Sequence, residues 1–453
     1  MTECSQNTFA FEAHFSRRVV GSFDGQHMTT DGGALLLRAV DHRIGLLKRV
    51  ATCFTDARDP ERVEHPLGTL LAQRIYALAL GYEDLNDHEE LRRDPLLGLL
   101  AGKRELGEPL AGKSTLNRLE LTPAGVPHAE RYHKISYSTT ALDALLVEIF
   151  LEAHAQPPRQ IVLDLDVTDM PLHGGQEARF FHGYYGHYCY LPLYIFCGEH
   201  LLCARLRPSN QDASAGSTGE VERIVRQIRR CWPKTQILLR GDSGFCREEL
   251  MSWCEKHRVD YVFGLARNPR LRRKIAFALR QAKQEYLRTG KAVRVFTEFF
   301  YRTRKTWSRA RRVVAKAEHL EKGENPRFVV TSLEVRSRPA QKLYEQLYCA
   351  RREMENRIKE QLTLFSDRLS TATLRANQLR LYFSSLAYVL LHALRRLALA
   401  RTEWAVAQVE TIRLRLLKIA AEMHVTARRV WVRYSRAYPW KTIFAAACMA
   451  LGS

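Results

Sequence analysis

The chain has 453 residues, 46% of them hydrophobic, which is enough for about three domains with packed cores. Lysine and arginine outnumber aspartate and glutamate by 70 to 49, and this net charge of +21 favours an anionic partner, either nucleic acid or an anionic membrane. Met1–Glu12 has no apolar core, which argues against a signal peptide. The most apolar stretch, Leu381–Ala400, contains His392, Arg395 and Arg396 and therefore predicts a buried helix instead of a membrane span. Ten cysteines without a CxxC pair argue against a zinc site and indicate reduced thiols in a cytoplasm.

Residues 1–155 are predicted to be a helical DNA-binding region, irregular before about residue 30. Apolar residues at helical spacing predict helices from Thr30–Asp31 onward, over Leu67–Leu80, over Asp84–Leu91 and over Ser114–Leu121. The last of these, STLNRLEL, has the polar face of a helix that enters a DNA groove. An ordinary amphipathic helix explains the same pattern equally well.

Residues 156–290 and 333–400 are predicted to be a mixed α/β core. Strand-forming runs alternate with helical patterns, and the order βββαβαβ indicates a mixed sheet. The predicted strands are Ile161–Val167, Tyr184–Tyr190, Leu191–Cys197, Leu201–Leu206, Gln236–Arg240 and Tyr261–Leu265, and the predicted helices are Glu220–Arg230, Arg247–His257, 270–290, Pro339–Leu364 and Thr373–Leu399.

Residues 291–332 are predicted to be a β-rich insertion, with strands Val293–Tyr301, Arg311–Ala317 and Arg327–Ser332. Basic residues cluster at one hairpin, including Arg304 and Arg311. Such a cluster is either a solvated face or a contact for DNA phosphates, and in so basic a chain we predict the phosphate contact. Trp307 within it is a candidate to stack on a base. Residues 401–453 are predicted to be a basic helical tail.

Three acidic positions are the candidate catalytic residues. Asp166 follows the apolar strand at Ile161, and Asp242 follows the apolar strand at Gln236. A carboxylate in a low-dielectric interior needs a cation, so at least one of Asp164 and Asp166 is predicted to face a metal or a polar cleft, with both at the exposed end of the strand as the alternative. Glu355, from a helix, would complete a set that can hold two divalent cations about 3.5–4 Å apart. Carboxylate oxygens suit Mg²⁺.

The helix around Glu355 supports this assignment. At about 100° per residue, Tyr348, Arg351, Glu355 and Lys359 share one face. The alternative is a purely structural role, in which Arg351–Glu355 and Glu355–Lys359 form ordinary helix salt bridges. Because two aspartates lie at strand ends and the chain carries a charge of +21, we favour the functional interpretation. Glu355 would then bind metal, and Arg351 and Lys359 would contact phosphates.

These stretches resemble a DDE transposase of a bacterial insertion sequence, in the group with a β-rich insertion inside a ribonuclease-H-like catalytic domain. Asp166–Thr168 (DVT) resembles the first-aspartate motif, 241–245 (GDSGF) the second, and Tyr348, Arg351 and Glu355 the family's Tyr–Arg–Glu signature. The signature's lysine is displaced here, since Lys359 lies four residues after Glu355 instead of seven. The stretches HGGQE at 173–177, YYG at 184–186 and ANQLR at 376–380 extend the similarity.

The resemblance implies an α/β, ribonuclease-H-like core that cleaves DNA at the inverted-repeat ends of an insertion sequence and joins the ends to a target. Asp166, Asp242 and Glu355 would hold Mg²⁺, with Mn²⁺ as an alternative ion, and Tyr348, Arg351 and Lys359 would position the DNA strand. Asp164 competes with Asp166, which we prefer because the family's aspartate is followed by x-Thr, and Asp169 is third. His173, His182 and His187 are interpreted as surface or core histidines.

The expected partners are double-stranded DNA and a second copy of the chain on it, without a membrane, in the cytoplasm of a bacterium near its nucleoid. Two other functions fit the same charge and acids. One is a stand-alone metal-dependent DNA nuclease, and the other is a basic DNA-binding protein without catalysis.

Overall fold

The computed structural model describes residues 8–123 and 131–452. They form a mixed α/β structure with one large sheet. The strands are β1 (Thr8–His14), β2 (Arg17–Ser22), β3 (His27–Thr29), β4 (Phe54–Asp56), β5 (Ile135–Tyr137), β6 (Gln160–Val167), β7 (Met170–Pro171), β8 (Phe180–His182), β9 (His187–Tyr190), β10 (Leu193–Cys197), β11 (His200–Arg205), β12 (Gln236–Gly241), β13 (Asp260–Leu265), β14 (Val293–Tyr301), β15 (Arg311–Leu320), β16 (Gly323–Glu324), β17 (Arg327–Thr331), β18 (Ala421–Val425) and β19 (Val430–Tyr434).

The α-helices are α1 (Leu35–Ile44), α2 (Leu46–Thr52), α3 (Leu67–Leu80), α4 (His88–Leu91), α5 (Pro95–Leu100), α6 (Lys113–Glu120), α7 (Thr139–Glu152), α8 (Ser217–Cys231), α9 (Glu248–Lys256), α10 (Pro269–Lys274), α11 (Ala276–Thr289), α12 (Ala340–Lys342), α13 (Arg352–Thr363), α14 (Leu374–Leu394), α15 (Val409–Ile412) and α16 (Lys441–Leu451). None of the helices in these two described ranges combines the length and the apolar character that crossing a bilayer demands.

The chain divides into two compact units. The first comprises the described residues of Met1–Ala51, Arg58–Leu119 and Ala393–Ser453. In it, β18 pairs with both β19 and β3, so that the tail and the N-terminal residues share a small sheet. Asp31, which is 3% exposed, binds Lys418 at 2.9 Å and accepts a hydrogen bond from the Tyr82 hydroxyl at 2.7 Å.

The second unit comprises Thr52–Ala57 and the described residues of Glu120–His392. Its large sheet has the strand order β11-β10-β6-β12-β13-β17-β15-β14, with β16 beside β15. Strands β6, β12 and β13 are parallel, whereas β10 pairs antiparallel with β6, and β17 antiparallel with β13. The parallel strands are apolar on both faces, as expected for strands covered by helices on each side.

The two faces of this sheet have different partners. Leu163, Leu165 and Leu239 point into the larger core, which also holds side chains of α7, α8 and α9. Val162 and Leu238 alternate with them and pack on the other face against Leu343 and Tyr344. Because side chains of a strand alternate between faces, the next polar positions along β6 and β12 emerge on this second face.

Several sequence predictions are corrected here. Residues before 30 were predicted to be irregular but contain the β1–β2 hairpin, and residues 30–155 were predicted to be helical but contain the paired strands β4 and β5. The tail is not simply helical either, because Val430–Tyr434 (VWVRY), which is rich in β-branched and aromatic residues, forms strand β19. The strands of the predicted insertion are confirmed, but β17 pairs with β13, so they extend the main sheet. Helix α7, assigned to the N-terminal region, packs in the core of the second unit.

Candidate active site

Asp166 and Asp242 leave neighbouring parallel strands side by side. Residues paired between β6 and β12 differ by 76 in number, from Gln160 with Gln236 to Leu165 with Gly241. Asp166 and Asp242 are the next step of the same register. Neighbouring strands are about 4.8 Å apart, so the two carboxylates start from adjacent backbone positions at the carboxyl ends of the strands. The prediction that these acids share one end of a sheet therefore agrees with the strand register.

The backbone turns sharply after the second aspartate. A 3₁₀ turn, Ser243–Phe245, begins there, and Asp242 Oδ1 accepts a hydrogen bond from the Gly244 amide at 2.8 Å. Asp242 thus caps the turn that follows its strand, as short polar side chains do at helix starts. One oxygen of this carboxylate is fixed by the backbone, which holds its orientation toward the second face of the sheet.

The helix that carries Tyr348, Arg351 and Glu355 changes its winding twice. It is π-helical over Leu343–Tyr348, 3₁₀ over Cys349–Arg351 and α-helical from Arg352. In a 3₁₀ turn, residues three apart are eclipsed, so Tyr348 and Arg351 lie on the same side more closely than in an α-helix. The sequence prediction assumed a uniform α-helix. In the structure, Tyr348 and Arg351 lie on the same side because of the 3₁₀ turn instead.

Arg351 joins the helix to the first aspartate. Its Nη1 donates to Asp166 Oδ2 at 2.7 Å, and its Nη2 lies 3.6 Å from Glu355 Oε1. The Asp166 side chain is 13% exposed and that of Glu355 is 51% exposed. A guanidinium therefore bridges two of the three predicted acids, one nearly buried and one facing solvent.

Burial raises the pKa of the Asp166 carboxyl from its ordinary value of 3.8 to about 6. The guanidinium of Arg351 opposes this rise, while the carboxylates of Asp242 and Glu355 increase it. Burial and crowded negative charge thus oppose the ionised state of Asp166. A cation bound here would relieve this repulsion, which is the electrostatic environment of a metal site.

The donor atoms at this position fit a magnesium ion by type. Across the described residues, no three His, Cys, Asp or Glu side chains are grouped closely enough to hold a metal. Mg²⁺ however takes one or two protein carboxylates and completes its shell with water and phosphate oxygens. Asp166 and Asp242 provide that pair, with Glu355 at the other side of Arg351.

The rival aspartate, Asp164, has a different partner. Asp164 Oδ1 and Oδ2 accept from Arg240 Nε and Nη2 at 2.5 and 2.7 Å, and both residues are almost fully buried. Arg240 Nη1 also donates to the Leu347 carbonyl at 2.6 Å, one residue before Tyr348. This buried pair, two residues before Asp166 and Asp242 on the same two strands, ties both strands to the helix. The geometry supports Asp166 over Asp164 as the candidate ligand.

Arg240 was not predicted from the sequence as part of this site, although the sequence contains a signal for it. Arg240 and Asp164 differ by 76 in number, as do Asp242 and Asp166, and each lies two residues before its aspartate. A cation and an anion at the same step of two apolar strands indicate a cross-strand pair.

Glycine at position 264 is required for the close packing behind the site. A Cβ atom there would lie 2.7 Å from the Tyr348 hydroxyl oxygen and 2.9 Å from the Ser243 backbone nitrogen. Neither contact is compatible with a side chain. Gly264, on β13, therefore allows the tyrosine and the second-aspartate turn to approach the sheet.

The predicted DNA contacts have different surroundings. Lys359 and Arg304 are exposed, so both are accessible to a ligand. Arg311 is not, because its side chain is 2% exposed and binds Glu248 at 2.7 Å and Glu255 at 2.6 Å. Trp307 is 5% exposed and packs against Tyr301. The predictions that Arg311 contacts DNA and that Trp307 stacks on a base are wrong for this structure, since both side chains belong to its core.

No curated protein matches this chain. A solved structure, the cryo-EM structure of piggyBac transposase synaptic complex with hairpin DNA, is similar at 10% sequence identity and a TM-score of 0.44, over 86% of this chain and 80% of that chain. A family model described as Transposase DDE domain group 1 matches residues 11–453. That match covers nearly the whole chain, which therefore belongs to the group 1 family of transposase DDE domains.

Proposed function

We propose that this chain is the transposase of a bacterial insertion sequence, cutting DNA at the inverted-repeat ends of its element and joining those ends to a target. Family membership supports a transposase role. The observation that carries the finer proposal is the strand register that aligns Asp166 with Asp242, with Arg351 bound to the first of them. The mixed sheet that bears both aspartates supports a ribonuclease-H-like core.

Two phosphoryl transfers make up the reaction. In the first, a water oxygen attacks phosphorus at the element end, the bond from phosphorus to the 3′ oxygen breaks, and that oxygen takes a proton to become a 3′-OH. In the second, this 3′-OH attacks a phosphorus of the target, and the target's own 3′ oxygen leaves. One phosphodiester is formed for each one broken in the second step, so joining needs no further energy source.

Asp166 and Asp242, with Glu355, would hold Mg²⁺, or Mn²⁺ as the alternative ion. A metal bound there activates the attacking oxygen and stabilises the leaving one. Arg351 supplies a fixed guanidinium, whose planar fork suits phosphate oxygens. Tyr348 stands beside it. Lys359, four residues beyond Glu355 and exposed, is proposed to contact the DNA backbone.

We propose double-stranded DNA as the partner, both as terminal repeats and as target. The net charge of +21 supports this, because neutralising phosphates releases counterions and drives binding. The first compact unit, which joins the N-terminal residues to the tail, is proposed to bind the terminal repeats. Acting on two ends requires two active sites, and we propose a homodimer on DNA. The proposed location is the bacterial cytoplasm, at the nucleoid.

The test is incubation of the purified full-length protein with Mg²⁺ and a labelled DNA that carries the element end. We expect a nick at the junction between the element and its flank, and joined product when a supercoiled target plasmid is added. Asp242→Asn should remove both products while affinity for the labelled DNA remains. Lys359→Ala is the matched comparison outside the acids and should weaken DNA binding without abolishing nicking.

One outcome would select the nuclease, and another would refute the assignment of the acidic residues. Nicking without any joined product, even with pre-cut ends, would identify a stand-alone nuclease. If Asp242→Asn changed neither cleavage nor DNA binding, the acidic residues would not be the catalytic residues.

A further inference from the structure

A group of exposed aromatic rings lies on a hairpin that contacts Asp169, three residues after Asp166. Strands β8 and β9 pair as a hairpin, with Phe181 opposite Tyr188 and a turn at 183–186. We call residues 180–188 the aromatic hairpin. Phe181 is 57% exposed, Tyr184 86% and Tyr188 43%. Large apolar rings exposed together indicate a binding surface, since single ones are common but groups are not.

The backbone of the aromatic hairpin is well anchored. The Leu172 amide donates to the Tyr188 carbonyl at 2.9 Å, and the Ser209 hydroxyl donates to the Phe180 carbonyl at 3.0 Å. Cys189 and Tyr190, which follow on the same strand, are fully buried. The exposed rings therefore project from a fixed support, and holding them for a ligand costs little conformational entropy.

The rings also contact one another. Phe181 and Tyr188 are edge to face at 5.6 Å, and Tyr184 and Tyr185 likewise at 5.0 Å. The guanidinium of Arg179 lies 4.1 Å from the centre of the Tyr188 ring. The surface thus offers flat π faces together with a cation, the combination that binds single-stranded nucleic acid through base stacking and phosphate contact.

The position of the hairpin links it to the aspartates. Strand β7, which pairs with β9, begins three residues after Val167 at the end of β6. His187 Nε2 lies 2.8 Å from Asp169 Oδ2, three residues after Asp166. Burial raises the pKa of the Tyr185 hydroxyl to about 12, and the carboxylates of Asp169 and Asp166 act in the same direction. The turn end of the hairpin is therefore close to Asp169, three residues after the candidate catalytic carboxylate of Asp166.

We propose that the aromatic hairpin stacks on unpaired nucleobases of the DNA strand that enters the acidic site. This inference rests on the proposed function for the identity of the strand. Bases inside an intact duplex present only their edges, whereas stacking on a side chain needs an exposed base face. The ligand is thus DNA opened beside the scissile phosphate, and Tyr184 and Tyr188 supply the stacking surface.

The experiment uses the full-length protein and two fluorescently labelled 20-nucleotide strands, one of thymidines and one abasic. We expect Tyr184→Ala and Tyr188→Ala each to lower the affinity for the thymidine strand about tenfold, a modest value for base stacking. Affinity for the abasic strand should be unchanged, because the phosphate contacts remain. Tyr184→Phe, which keeps the aromatic ring, should bind the thymidine strand as tightly as the original protein does. Phe277→Ala, at a ring 74% exposed on α11, is the matched control and should bind like the original protein.

A strand containing 2-aminopurine gives a direct readout of stacking. Its fluorescence should be quenched on binding to the original protein and not to Tyr184→Ala. The proposal would be overturned if both alanine variants bound the thymidine strand as tightly as the original protein does. Loss of self-association in these variants with DNA binding intact would also overturn it, and would assign the rings to a second copy of the chain. The separate nicking assay tests the proposed function, since Asp242→Asn should lose nicking and keep the quenching.

Discussion

Replacing Arg240 by methionine is expected to destabilise the second unit and to impair catalysis. The change keeps a long apolar side chain but removes the cation that Asp164 binds through both oxygens. The side chains of Arg240 and Asp164 are only 7% and 6% exposed, so water cannot replace the lost partner. Removing one partner of such a buried pair costs about 3–5 kcal/mol, because the remaining charge stays buried without compensation.

The double variant Asp164→Leu, Arg240→Met separates the charge from the packing. Replacing a whole buried ion pair by apolar side chains is often close to neutral. The carbonyl of Leu347 still loses its hydrogen bond from Arg240 Nη1 at 2.6 Å, which adds about 1–3 kcal/mol. We therefore expect the double variant to lose less stability than either single variant.

Urea unfolding followed by hydrogen exchange at the amides of β6 and β12 measures these differences within the second unit. The reasoning is refuted if Arg240→Met costs less than about 1 kcal/mol, or if the costs of the two single changes simply add in the double variant. Nicking should also fall in the double variant, since Leu347 directly precedes Tyr348 and the helix is no longer tied to the strands.

Three further predictions address pH, packing and charge. The rise in the pKa of Asp166 from 3.8 to about 6 means that the folded protein holds this proton more tightly, so stability should fall by about 2 kcal/mol as pH rises from 4 to 7. Asp166→Asn should remove that pH dependence in urea titrations, and an unchanged slope would contradict the assignment. Gly264→Ala should cost about 1–3 kcal/mol and reduce nicking. Gly219→Ala in α8, where a Cβ meets nothing within 4 Å, should stabilise the protein by about 0.5–1 kcal/mol, and equal effects at both glycines would argue against a steric role. Arg311→Leu should lower the unfolding free energy by about 3–5 kcal/mol. Arg304→Ala should leave stability unchanged but reduce the salt dependence of DNA binding by about one counterion. If Arg311→Leu instead changed the salt dependence of DNA binding without loss of stability, and Arg304→Ala lowered stability, Arg311 would be a DNA contact after all.

The central strands were predictable because their residues are β-branched and apolar over short runs. The acidic pair, Asp166 and Asp242, was predictable because each aspartate ends a buried apolar strand. A carboxylate there is stable only if it faces a cation or a polar cleft. The register that aligns Asp166 with Asp242 follows from the equal offset of the apolar runs. The same offset would have revealed the pairing of Arg240 with Asp164.

Other features depended on contacts distant in sequence. Arg311 was taken for a surface residue because its neighbours are basic, but its partner Glu248 lies on α9, 63 positions away. Hairpin β1–β2 was missed because its rings are exposed, so no buried face marks it as a strand. The change of winding at Tyr348 has no signature in a pattern of apolar spacing.

The buried pair of Asp164 and Arg240 also restricts how β6 and β12 can align while the protein folds. A slip of β12 by one position would turn Arg240 toward the apolar side formed by Leu163 and Leu239, while Asp164 would stay on the opposite face without its partner. A slip of two would leave Asp164 opposite Leu238 or Asp242, with no cation within reach. Each misaligned pairing carries the penalty of an isolated ion in an apolar interior. The correct alignment is also the one that brings Asp166 beside Asp242, so errors that would separate the two acids are disfavoured during folding.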